Sequence, residues 1–136
     1  MIEGDFIVEY YSNGQLEWKI PIIKRSGGRP PLLHGEAIQY YPDGKVKLRR
    51  TCMNGKEEGD EVLYHKNGKV AHRLSFIHGK KQGTFKTYDE DGKKESEVDY
   101  EDSKIKNVPR RWGKDGKPVT VRPSAATEKV LSRGNK

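Results

Sequence analysis

The chain has 136 residues and a formal net charge of +7, with 32% hydrophobic and 35% charged residues. That is the length of one ordinary domain, with too little apolar content for a thick two-layered core, yet seven Tyr, three Phe and two Trp exclude a disordered chain of the low-hydrophobicity type. The charge is unevenly placed: from Lys104 onward ten Lys or Arg stand against Asp115 and Glu128, a local net of +8, which leaves residues 1–103 at −1.

The opening "MIEGDFIVEYY" has neither a basic n-region nor an apolar h-region, so a soluble cytoplasmic protein is expected. Its Asn13-Gly14 starts a series. Gly44, Gly68, Gly92 and Gly116 follow at 24-residue intervals after a first step of 30, each preceded by Asp or Asn. Four residues before each glycine stands an aromatic: Tyr10, Tyr40, Tyr64, Tyr88, Trp112. Gly35, Gly59 and Gly83 mark the other end of the unit, with Asn107 in the next slot. Asn-Gly and Asp-Gly suit a type I′ hairpin turn, in which both central residues take positive φ. A unit of this length holds two strands and two turns, the second near Asn54-Gly55, His78-Gly79 and Asp102-Ser103.

Each repeat therefore predicts one hairpin, and the fold class is all-β. The expected architecture is an elongated single-layer antiparallel meander of about five hairpins and about ten strands, with few or no helices. Alternation places Leu16, Trp18 and Ile20 on one face, then Val46, Leu48 and Cys52, Val70, Leu74 and Phe76, and finally Val98 and Tyr100. The opposite face is expected to carry Lys45, Lys47 and Arg49, then Lys69 and Arg73, then Lys93, Glu95, Glu97, Asp99 and Glu101, a basic end grading into an acidic one.

Two segments leave the pattern. The first unit carries the insert "KRSGGRPPLLHG", whose Gly-Gly and Pro-Pro demand a longer loop over 24–35. The repeat domain is expected to span 1–121, with 122–136 a basic tail, irregular or with a short helix over Ala125 to Leu131. Pro118 weakens the last strand.

The stretches "YYPDGKVKLRRTCMNGKEEG", "YHKNGKVAHRLSFIHGKKQG" and "YDEDGKKESEVDY" resemble the MORN-variant repeat, over roughly residues 5 to 121. The resemblance implies a hairpin-repeat fold and a binding role, and is similar to bacterial proteins of antitoxin type. Asp102-Ser103 and Asn107 depart from it, where glycines are expected.

Catalytic chemistry is not indicated. Cys52 has no second thiol and no evident base, and reads as a small apolar strand residue. His34, His65, His72 and His78 lack paired metal spacing, and His34 precedes a boundary glycine where turn chemistry explains it. "RSGGRPP" lacks the P-loop lysine and a following helix. The carboxylates from Asp89 to Asp102 read as a solvated face. No enzyme activity, cofactor or metal is expected.

The reading that follows is a protein-interaction module, concretely an antitoxin, immunity or inhibitor protein that blocks a toxin or other target. Candidate contacts are Tyr10, Tyr40, Tyr64, Tyr88, Trp112, Lys47, Arg49, Arg73, Glu95 and Glu97, with the insert loop. Self-association through the sheet face or an edge is a further route. The alternative is nucleic acid or anionic membrane bound through Arg110, Arg111, Lys114 and Arg122.

Overall fold

The computed structural model describes residues 2–3 and 5–119, so Arg122 and the tail assigned to 122–136 lie outside the described residues. Among the described residues there is no helix, hence none long and apolar enough to cross a membrane. The strands form one antiparallel meander in chain order. They are β1 (Ile2–Glu3), β2 (Phe6–Tyr10), β3 (Leu16–Ile23), β4 (Leu32–Leu33), β5 (Gly35–Tyr40), β6 (Val46–Met53) and β7 (Lys56–Glu57). Then come β8 (Gly59–Tyr64), β9 (Val70–Ile77), β10 (Lys80–Tyr88), β11 (Lys94–Glu101), β12 (Lys104–Ile105), β13 (Arg110–Trp112) and β14 (Pro118–Val119). β4, β7 and β12 are short leading pieces that pair with β3, β6 and β11 before the chain bends at Gly35, Gly59 or Asn107 and continues as the next full strand. Setting these aside with β1 leaves ten strands, two per repeat.

The two turn classes are distributed differently from the expectation. At Asn13-Gly14 and its four equivalents only the glycine takes positive φ, from 80° to 92°. In the second copy the Gly44 N–H donates to Tyr41 O at 2.9 Å and the Tyr41 N–H to Lys45 O at 2.7 Å, while Asp43 Oδ1 accepts from Lys45 N–H at 3.0 Å. This is a three-residue loop, a type I turn followed by a left-handed glycine, and the Asp or Asn serves as a local acceptor. The type I′ turns lie at the other end. Asn54 and Gly55 take φ 49° and 86°, His78 and Gly79 49° and 80°, and Asp102 and Ser103 50° and 66°.

The loop type brings a second correction. In four hairpins the register slips by one residue beside the glycine loop, skipping Glu17, Lys47, Ala71 and Glu95. A bulge of this kind ends simple alternation. Leu48 and Cys52 stay together and buried, but Val46 lines a hollow with Arg49 and Tyr64 instead of joining them. Lys47 likewise parts from Arg49 and lies 5.6 Å over the Tyr41 ring.

The insert also differs in extent. β4 pairs Ile22 with Leu33 and Ile23 with Leu32, so the loop proper is 24–31 and replaces a two-residue turn. The six additional residues account for the first step of 30 instead of 24. Gly27 and Gly28 take φ near 70°, and Arg25 and Arg29 donate to Pro30 O and Ser26 O within the loop.

The core is as thin as the composition requires: Val8, Ala37, Leu48, Cys52, Val62 and Leu74 are buried, yet no described residue falls below 2% exposure. Hydrogen bonds between repeats supplement it. Tyr11 Oη donates to Tyr40 O at 2.7 Å, Tyr41 Oη to Tyr64 O at 2.6 Å, and His65 Nε2 lies 2.8 Å from Tyr88 O, so that nitrogen carries the proton. At the opposite end His34 Nδ1, Glu58 Oε1 and Gln82 Oε1 accept the N–H of Asn54, His78 and Asp102. The position before each boundary residue thus caps a turn of the same hairpin, and the turn chemistry expected of His34 is present.

Candidate binding surface

Antiparallel partners project from the same face, so the register maps the surface. One row runs across the strands through Lys19, Ile38, Arg49, Val62, Arg73, Lys86, Glu97 and Arg110. The aromatic series borders it. Tyr64 shares the hollow of Val46 and Arg49, about 570 Å³ in volume. Tyr88 is the partner of Lys94, whose ammonium bonds Glu97 at 2.9 Å and sits 5.1 Å over the Trp112 ring. Tyr10 is 47% exposed, while Tyr40, Tyr64, Tyr88 and Trp112 are half-buried. The structure thus brings Arg49, Arg73 and Glu97 together with the aromatic row on one side of the sheet.

The bulges carry the other two charged candidates elsewhere. Lys47 stacks on Tyr41, and Glu95 opens onto a hollow with His65, Asp89, Glu90, Asp91 and Lys114. Glu97 and Asp99 are not free carboxylates: Arg110 donates to Glu97 at 3.1 Å and to both Asp99 oxygens at 2.9 and 3.1 Å, and Asn107 and Thr84 also donate to Asp99. These donors, Arg110 foremost, hold the Asp99 carboxyl well below the usual carboxylate range. Glu97 is lowered too, by Lys94 first and by Arg110.

Of the four residues named for anion binding, Arg110 is therefore engaged by two carboxylates of the same sheet. Arg111 pairs with Ser96 and lies with Lys114 beside Asp89 and Glu95. Between Lys104 and Val119 the basic segment enters the sheet as β12, β13 and β14.

Sequence reasoning passed over Glu61. It is 7% exposed and held between Arg50, at 2.7 Å, and His72, at 3.2 Å. The hydrogen bond with His72, then that with Arg50, keep its carboxyl below the ordinary range against the opposing effect of burial. The clue was available: Glu61 alternates with Leu63 toward the core side of β8, where a lone acid needs partners. Burial pushes the Cys52 thiol up, as for an inert strand residue. Among the described residues no group of His, Cys, Asp and Glu is placed to hold a metal ion. The turn end presents Ile23, Met53 and Ile77, 39%, 43% and 52% exposed, at equivalent positions of three hairpins.

Three stretches, 33–51, 57–78 and 81–102, match the family model described as MORN repeat variant. The first two begin beside the bends at Gly35 and Gly59, and the last two end in the type I′ turns at His78 and Asp102. No curated protein matches the chain.

Proposed function

This chain belongs to the MORN repeat variant family, and from that premise we propose that it is a non-catalytic protein-binding module of the cytoplasm. Repeats of this family are generally protein- or membrane-binding modules. The finer reading is an antitoxin, immunity or inhibitor protein that covers a partner's surface with its sheet face and the loop 24–31. One observation carries it: a series of five aromatics borders a cross-strand row that holds Lys19, Arg49, Arg73, Lys86 and Arg110, on a sheet face that no second layer covers among the described residues. Tyr and Trp beside Arg is the composition of an interface anchor, and a stiff meander presents it without an ordering cost on binding.

The test is affinity capture from the native host with the full chain and with a chain ending at Val119, each at low and high salt. A protein partner retained by both forms at both salts is the expected result. Nucleic acid or lipid retained only by the full chain, and only at low salt, would replace this reading with one centred on residues 120–136.

A further inference from the structure

The cross-strand row contains one pair that the fold does not satisfy. Arg49 is bonded to Glu36 at 2.7 Å, Arg110 to Glu97 and Asp99, and Lys19 lies 4.4 Å over the Phe6 ring. Arg73 and Lys86 stand directly opposite each other in β9 and β10, and among the described residues neither has a carboxylate or a ring as partner. Glu97 is the next residue along the row, but Lys94 and Arg110 already occupy it. Like charges placed opposite each other in adjacent strands destabilise a sheet. Arg73 is exposed, so nothing in its packing requires a cation.

Resting on the binding-module reading, we propose that Arg73 and Lys86 receive the carboxylates of an acidic, extended segment of a partner protein that lies across the strands. Charge complementarity selects the occupant, and the aromatic row supplies its apolar flank. The geometry also sets a spacing. Arg49 and Arg73 are two strands apart, about 10 Å, and one turn of an extended polyproline II chain, three residues, advances by about the same length and returns the side chain to the same face. Acidic residues at every third position therefore share one face, one reaching Arg73 and Lys86 and the one before it lying on the Arg49 side of the row, away from Glu97, with Tyr64 and Tyr88 contacting the residues between.

The test uses the full chain and a fluorescent ten-residue peptide with Glu at every third position, Ser and Tyr between. A peptide of the same composition with its Glu residues contiguous and a single-stranded oligonucleotide serve as comparisons. The spaced peptide should bind most tightly, and Arg73→Glu and Lys86→Glu should each weaken it about tenfold. Lys104→Glu, at the exposed turn end, should change it by less than about twofold. Arg73→Glu should also melt higher than the parent, because it replaces a repulsion with an attraction to Lys86; a merely structural arginine would melt lower on loss. Absent binding, equal loss with Lys104→Glu, preference for the oligonucleotide, or a self-association that Arg73→Glu abolishes would each overturn the proposal. If a protein captured by the parent is held equally by Arg73→Glu, the binding-module reading stands and this placement of the contact falls.

Discussion

The carboxylates that look alike in the sequence behave differently once paired. Asp99, Glu97 and Glu61 are all lowered in the folded chain, the first chiefly by Arg110, the second by Lys94 and the third by His72. A carboxyl whose folded pKa is depressed contributes stability above its unfolded value, and that stability is lost as the pH falls through the folded one. Urea unfolding should therefore show stability declining from about pH 5 to about pH 2. Asp99→Asn should cost about 1–3 kcal/mol at pH 7 and much less at the acid end, so the two curves converge. Parallel curves would mean that the Arg110 cluster does not couple protonation to folding. Arg110→Ala belongs at the low end of that range, because the arginine side chain is 41% exposed.

At the scale of the hairpin, the two halves of Asp-Gly have separate tasks. Gly44 takes φ 92°, which a side chain resists, whereas Asp43 only accepts a hydrogen bond from Lys45. Gly44→Ala is expected to cost about 1–2 kcal/mol and Asp43→Ala about 0.5–1 kcal/mol, compared by thermal melting of the two variants. Equal costs, or the reverse order, would return the loop to the two-residue class. The hairpins themselves were legible because Gly, Asn and Asp are read through local backbone chemistry. The bulges at Glu17, Lys47, Ala71 and Glu95 were not, since those four residues share no chemistry and the slip follows from closing a three-residue loop onto a fixed register. That slip is why Lys47 and Glu95 left the face assigned to them while Arg49, Arg73 and Glu97 kept it.

Among the described residues the extensive contacts run between neighbouring strands, so stability is close to a sum of repeat and nearest-neighbour contributions. Tyr41→Phe removes the bond to Tyr64 O and leaves the ring, an expected loss of about 1 kcal/mol. Amide exchange should quicken in β5, β6 and β8 and stay unchanged in β11. Acceleration throughout the sheet would show that the meander opens as a single unit. The same linear build repeats the aromatic position every two strands, while the charge beside it changes from Arg49 and Arg73 to Glu97.

By itself the sequence determined the all-β class, the five repeats, the hairpin boundaries and the thinness of the core, because spacing, turn residues and composition act locally. Tertiary structure alone decided which side chains meet. Tyr11, Tyr41 and His65 bridge neighbouring repeats, and Glu61 closes on Arg50 and His72, through partners 11 to 29 residues away. The register also took Arg110 from the basic segment into the sheet and left Arg73 facing Lys86. Pairing across strands is set by where each bulge falls, and a shift of one residue exchanges the faces, so no local reading of the chain could settle it.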